Sequence, residues 1–164
     1  MRIRSITPDD ADAVRDIFAA GIASGNATFE VAPPSWADWD AKHHPDLRYL
    51  AVDDDGTALG WVSGTPVSTR AAYAGVQELG LYVAEHARGR GIGTALLRTA
   101  VERAPGLGLW TLQSTIFPEN TGSLTVHRRL GFREVGRRER IALMTVGPSA
   151  GQWRDTLLLE LRLA

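Results

Sequence analysis

The segment Arg88-Gly89-Arg90-Gly91-Ile92-Gly93-Thr94 sets two guanidinium groups among three glycines, directly after a short apolar strand pattern and at the start of a helical one. A glycine-rich turn that opens a helix leaves the first backbone N–H groups of that helix unpaired and adds the positive end of its dipole. Together these suit an anion, and a pyrophosphate in particular. Gly91 and Gly93 hold no Cβ between backbone and ligand, while Arg88 and Arg90 bring full charge beside the partial charges. A plain tight turn would contain the same glycines. The spacing excludes two other phosphate sites: a P-loop needs GxxxxGK[ST], and a dinucleotide fold needs GxGxxG early in the chain with an acidic residue about twenty positions on. Two polar rows accompany the loop. On the strand before it, Leu79, Leu81 and Val83 alternate to one face and Glu78, Gly80 and Tyr82 to the other, so Glu78 is either a proton acceptor or an exposed strand glutamate. Asn120, Ser123 and His127 share one helix face, as reactive groups or as a helix cap with two surface polar residues.

The elements that position these residues alternate along the chain. Ile3 and Ile6 flank a first strand; Thr7-Pro8-Asp9-Asp10 then supplies a cap, a first-turn proline and an acidic first turn for a helix with Ala13, Val14, Ile17 and Phe18 on one face, ending near Gly21. Asn26 to Pro34 is irregular, and Ser35 caps a second helix carrying Trp36 and Trp39 and closed before Pro45. Tyr49 to Val52 and Ala58 to Thr65 form a hairpin across Asp53-Asp54-Asp55-Gly56. Gly75 to Val83 is a strand, Gly91 to Arg103 a helix, Leu109 to Ile116 a strand, Thr121 to Leu130 a helix, and Arg133 to Met144 and Thr156 to Leu163 the last strands. The order β-α-α-β-β-β-α-β-α-β-β predicts an α/β fold, a mixed sheet with helices on both faces.

Composition narrows the classes. At 164 residues and 44% hydrophobic, the chain suits one core, so a single domain over residues 1–164 is expected. A net charge of −1, with no massed basic run, gives no electrostatic footprint for a nucleic-acid partner. The absence of cysteine excludes thiol nucleophiles, disulfides and thiolate-bound zinc, and the four histidines lack metal-ligand spacing, so no metal is expected. No stretch reads as a signal sequence or membrane span, which predicts a cytoplasmic protein without a membrane partner.

The pattern RxxGxG after a strand resembles the acetyl-CoA site of the GNAT superfamily of N-acetyltransferases, and four further places make the resemblance specific. They are Thr28-Phe29-Glu30 with Trp36; Arg70-Ala71-Ala72-Tyr73 leading to Glu78-Leu79-Gly80-Leu81-Tyr82-Val83; Pro118-Glu119-Asn120-Thr121-Gly122-Ser123 with His127 and Leu130-Gly131-Phe132; and Gly151-Gln152-Trp153-Arg154-Asp155. Together they span nearly the whole chain and resemble the phosphinothricin N-acetyltransferase branch, with its methionine sulfoximine and arsinothricin relatives. The resemblance implies an acetyl-CoA N-acyltransferase fold, mostly antiparallel, acting as a homodimer on the α-amine of a small amino acid or glutamate-like inhibitor.

It also implies roles. Acetyl transfer to an ammonium needs a base, and the match places it at Glu78. Backbone groups of Leu81, Tyr82 and Val83 would bond pantetheine and polarise the acetyl carbonyl, the loop from Arg88 to Thr94 would hold the pyrophosphate, and Asn120 would contact CoA. His127 stands where many relatives outside this branch carry a tyrosine that protonates the leaving thiolate. For an amino-acid substrate, Arg70 with Ser68 and Thr69 offers a carboxylate partner, though it could equally be a solvated loop residue. Thr28, Phe29, Trp36 and Tyr73 would wall the pocket or fill the core. Relatives often carry a lysine before the glycine of the last motif, where this chain has Val146-Gly147-Pro148-Ser149-Ala150-Gly151. Two other classes share parts of this pattern: a peptide or protein N-terminal acetyltransferase, with an open groove, and a non-catalytic acyl-CoA-binding regulator, without a working Glu78.

Overall fold

The computed structural model describes residues 1–163. Seven strands, β1 (Arg2–Ser5), β2 (Arg48–Val52), β3 (Ala58–Pro66), β4 (Val76–Val83), β5 (Thr111–Ile116), β6 (Arg133–Leu143) and β7 (Trp153–Arg162), form one sheet in the order β1-β2-β3-β4-β5-β7-β6. Every neighbouring pair is antiparallel except β4 with β5. Four helices complete the fold: α1 (Ala11–Ala23), α2 (Trp36–Lys42), α3 (Ile92–Arg103) and α4 (Thr121–Arg129). The mixed sheet expected from the element order is therefore present, with strand ends shifted by one to three residues.

Helices lie on both faces of the sheet. On one face, the Trp61 indole of β3 donates to the Val14 carbonyl of α1 at 3.2 Å, and the Phe18, Trp39 and Tyr82 rings surround it with centroids 5.8, 5.8 and 4.5 Å away. On the other, Leu96 of α3 packs over Gly60, and Leu81 and Val83 pack under Gly93. Leu96, Leu97 and Ala100 are fully buried there. At about 1.5–3 kcal/mol for each buried leucine, that apolar stripe holds α3 on the sheet.

Local sequence chemistry explains most boundaries. The Ser35 hydroxyl accepts from the Asp38 amide at 3.2 Å to cap α2, and the Asn120 side chain accepts from the Ser123 amide at 3.2 Å to cap α4. Thr7 and Asp10 form a capping box around a short 3-10 turn, with Arg4 clamped on the Asp10 carboxylate at 2.6 and 2.7 Å, and α1 follows. One end differs. Gly21 does not stop α1, which runs on to Ala23; a Cβ at Gly21 would lie 2.9 Å from the Tyr82 ring, so this glycine serves close packing. The chain instead turns at Gly25, with φ of +65°.

Gly60 is the contact that fixes β4 most tightly from below. A Cβ there would lie 2.7 Å from the Tyr82 carbonyl oxygen and 3.1 Å from the Val83 Cα, both backbone atoms that cannot swing aside. Gly60→Ala is expected to destabilise the fold by about 1–3 kcal/mol through overpacking, read as a lower urea midpoint at unchanged slope.

Candidate active site

The parallel ladder between β4 and β5 has only three rungs, Val76 with Thr111, Gln77 with Leu112 and Glu78 with Gln113, although β4 runs on to Val83 and β5 to Ile116. Beyond Glu78 the two strands part and leave a wedge in the sheet. The Glu78 carbonyl turns toward β3, where the Thr65 hydroxyl donates to it at 3.4 Å, and the Tyr82 carbonyl also faces β3, against Gly60. Backbone groups alternate along a strand, so Leu79, Leu81 and Val83 direct theirs to the β5 side. Leu81 and Val83 thus present backbone polar groups to the wedge. Tyr82 enters the site through its side chain instead.

A cavity of about 330 Å³ passes through this wedge. On the face of α1 and α2 its wall includes Thr28, Phe29, Trp39, His43, Glu78 and Tyr82; on the face of α4 it includes Ser114, Asn120, Ser123 and His127. Glu78 stands on the last rung, at the apex of the wedge, and its Oε2 accepts from the Gln113 side-chain amide at 3.1 Å. A Cβ on Gly80 would meet the Tyr82 ring at 3.4 Å and the Trp61 ring at 3.6 Å. Burial pushes the Tyr82 phenol up to about 12, so it keeps its proton and can donate.

The glycine loop lies beside the wedge. Gly89 and Gly91 have φ of +75° and +79°, and Gly91 is the residue at which α3 begins. No side chain caps α3, and its first internal bond runs from the Ala95 N–H to the Gly91 carbonyl. The amides of Ile92, Gly93 and Thr94 therefore have no partner within the helix. Beyond its chain neighbours, nothing lies within 4 Å of where a Gly91 Cβ would sit, and Arg88 and Arg90 are exposed on either side of Gly89. These backbone donors and charges suit a pyrophosphate, and the unpaired Leu81 and Val83 groups suit an extended amide chain leading into the wedge.

His127 is only 2% exposed. Its Nδ1 lies 2.8 Å from the Ser123 carbonyl, which can only accept, so the neutral ring carries its proton on Nδ1 and its Nε2 accepts from the Ser114 hydroxyl at 2.9 Å. Burial lowers its pKa and keeps it neutral, opposed by the hydrogen bond to the Ser123 carbonyl. Of the expected pocket residues, Thr28 and Phe29 line the cavity, whereas Trp36 stacks on Trp39 from outside it at 5.1 Å. Ser68, Thr69, Arg70 and Tyr73 lie on the turn between β3 and β4, away from the cavity wall; Arg70 stacks over the Tyr73 ring at 5.6 Å, and both are exposed.

Pattern reading passed over three further groups: Ser114 and His43 in the cavity wall, and Gln113 beside Glu78. Gln113 and Ser114 are ordinary strand residues in sequence, and only the parallel register sets them beside Glu78 and His127. His43 stacks on Trp39 at 4.1 Å and holds the Trp39 carbonyl with Nδ1. Its helical spacing from Trp39, four positions, was the one available signal. Among the described residues, no group of three or more His, Cys, Asp or Glu side chains is placed to hold a metal ion, and no helix is long and apolar enough to cross a membrane.

The buried imidazole of His127 and the half-buried one of His43 predict an acid-sensitive fold. Burial lowers the pKa of both His127 and His43 below the ordinary value. The unfolded chain then binds more protons below about pH 6.5, and stability falls as pH falls through that value. Asp10, whose pKa is lowered chiefly by the Arg4 hydrogen bond, is deprotonated across that window and loses its contribution only at lower pH. Thermal midpoints should drop between about pH 7.5 and about pH 5.5, and less steeply in His127→Gln; parallel slopes in the two proteins would exclude His127 as a source.

With this geometry in view, the comparisons with known proteins are concordant. Residues 14–132 match the Acetyltransferase (GNAT) family. The chain is 33% identical over 164 residues to a phosphinothricin N-acetyltransferase of Alcaligenes faecalis, covering 96% of this chain and 80% of the relative. It is also 33% identical over 130 residues to an L-methionine sulfoximine/L-methionine sulfone acetyltransferase of Pseudomonas aeruginosa, covering 79% of this chain and 72% of that one. Among solved structures, a phosphinothricin acetyltransferase of Sinorhizobium meliloti in complex with acetyl-CoA superposes with a TM-score of 0.87 at 27% identity, over 99% of this chain and 88% of its own. The divergent strands, the uncapped helix start and these matches together show that the chain belongs to the GNAT family of acetyltransferases.

Proposed function

We propose that the protein transfers the acetyl group of acetyl-CoA directly to the α-amine of a small amino acid or glutamate-like compound held in the cavity. The observation that carries this reading is the wedge itself. It joins an amide-bearing helix start on one side of the sheet to a carboxylate and an aromatic wall on the other. Acetyl-CoA supplies an acetyl group activated as a thioester: the neutral amine attacks its carbonyl carbon, the C–S bond breaks, and the departing thiolate takes up, through solvent, the proton that the amine nitrogen sheds. The Ile92, Gly93 and Thr94 amides, with Arg88 and Arg90, bind its pyrophosphate, Gly89 and Gly91 keep the approach free of side chains, and the Leu81 and Val83 backbone holds the pantetheine arm. Asn120, at the start of α4, lies on the same side.

Glu78 takes a proton from the substrate ammonium, directly or through water, and Gln113 fixes its carboxylate for that task. Thr28 and Phe29 wall the amine side, and the Tyr82 phenol donates into it. His127 is differently placed from an acid. With Nε2 accepting from Ser114, the neutral ring has no proton at that atom to give, and burial opposes taking one up. We assign it to holding Ser114 and α4 at the edge of the wedge. The names of the relatives, which act on phosphinothricin and on methionine sulfoximine or sulfone, support a small amino-acid-like substrate.

Incubation with acetyl-CoA and a panel of phosphinothricin, methionine sulfoximine, methionine sulfone, arsinothricin, the common amino acids and short peptides should give one added acetyl group on an amino acid by mass spectrometry. Acetylation confined to peptides would move the substrate class, and acetyl-CoA binding without any transfer would make the protein a regulator. Glu78→Gln should lower kcat by about 10²-fold or more with acetyl-CoA binding retained, and the deficit should shrink as pH rises and more of the amine is already neutral. Gly91→Val places a branched side chain at a left-handed residue facing open space, and should abolish acetyl-CoA binding in a protein that still folds.

A further inference from the structure

We propose that Arg154, one residue into β7, is the positioning residue that sets the substrate wall of the cavity, Ala27 to Glu30, against β5 and α4; this rests on the amine-acetylating reading above. Arg154 is 8% exposed. Its Nη1 donates to the Gly25 carbonyl at 2.9 Å and to the Ser149 hydroxyl at 3.3 Å. Its Nη2 donates to the Asn26 Oδ1 at 3.1 Å and to the Glu119 carboxylate at 2.9 Å. The guanidinium carbon sits 4.1 Å from the centre of the Phe117 ring. One side chain thus joins the end of α1, the corner between β5 and α4, and the turn between β6 and β7.

A buried guanidinium is costly unless its donors are met. The carboxylate partner, Glu119, is 62% exposed, and the Gly25 carbonyl and Asn26 Oδ1 are two of the four acceptors that meet the guanidinium donors. Seating that loop completes the set. The loop is also closely fitted. A Cβ on Gly25 would stand 2.8 Å from the Pro148 ring, and the Asn26 carbonyl accepts from the Asn120 side chain at 3.1 Å.

The wall begins at the next residue. Ala27, Thr28, Phe29 and Glu30 all face the cavity, and the Phe29 ring rests edge-on against Phe117, 4.9 Å away. Phe117 is the same ring that lies under Arg154. The guanidinium therefore holds both the root of the wall, at Gly25 and Asn26, and the surface on which Phe29 rests. A lysine could supply the charge but not the planar fork that reaches several acceptors at once. Arg154 touches neither the cavity nor the start of α3, so its influence should fall on the amine and not on acetyl-CoA.

The test compares wild type with Arg154→Met, Arg154→Lys and Asn26→Ala. Three quantities are read: steady-state kinetics with whichever amine the wild type acetylates, acetyl-CoA affinity by calorimetry, and hydrogen–deuterium exchange over residues 24–30. Arg154→Met should raise the KM for the amine by about tenfold or more, as loss of charge-assisted hydrogen bonds implies, with acetyl-CoA affinity within about twofold of wild type. Exchange over 24–30 should quicken. Arg154→Lys should recover part of the lost KM. Asn26→Ala leaves the guanidinium its other partners, so it keeps the fold and should show the same split in smaller measure. An unchanged amine KM with unchanged exchange in the folded variants, or an equal loss of amine and acetyl-CoA binding, would overturn the assignment. Should the wild type acetylate no amine, the reading of the function fails, and exchange over 24–30 in Arg154→Met still decides by itself whether the wall depends on the guanidinium.

Discussion

The shortness of the ladder between β4 and β5 is the constraint on which the rest of this molecule depends. Two neighbouring strands that part inside a sheet leave backbone donors and acceptors without partners, and buried polar groups in that state cost free energy. Leu81 and Val83 carry that cost here, one face of each strand being covered by α3 or α4. A ligand with an extended amide chain removes the cost by completing the pairing, as an added strand would. The wedge has two ends, one on each face of the sheet.

Those ends are built differently. On the side of α3, the site is made from peptide groups and glycines, with fully buried Leu96 and Leu97 anchoring the helix behind it. On the side of α1 and α2, the site is made from side chains: a cluster of Phe18, Trp39, Trp61 and Tyr82 rings in edge and tilted contacts, with the Glu78 carboxylate at the apex, steadied by Gln113. Rigid aromatic packing holds Tyr82 between the two. The carboxylate stands where the last rung of the ladder ends, so the same register that opens the wedge places Glu78 at its closed end.

The polar interior of α4 follows from the same division. His127 links the Ser123 carbonyl to the Ser114 hydroxyl in a chain of hydrogen bonds. Such a chain fixes the imidazole in one tautomer and ties α4 to β5 just where β5 loses β4. The helix cap at Asn120 reaches outward from that anchored helix to the loop after α1. The two halves of the site are thereby referenced to the same strand.

Much of this was legible in the sequence. Caps at Ser35 and Asn120, the acidic turn at Asp9 and Asp10, the glycine loop and the alternation of Leu79, Leu81 and Val83 are local patterns, set by hydrogen bonds and sterics within a few residues, and they place the elements and the order of the fold. The places of the glycine loop, Glu78 and the polar face of α4 within their elements were readable for the same reason. Spatial relations between segments distant in the chain were decided only in three dimensions. Gly21 reads as a helix stop but serves the Tyr82 ring; Arg70 reads as a partner for a carboxylate but stacks on Tyr73 outside the cavity; His127 reads as an exposed polar residue or an acid but is buried and neutral. Gln113 and Ser114 carry no local signal, and Arg154 stands in the Gly151 to Asp155 motif with nothing local to show its partners. Their roles come from a parallel register and from contacts 13 to 129 positions apart, and such pairings depend on how the whole sheet closes, which no short window of sequence contains.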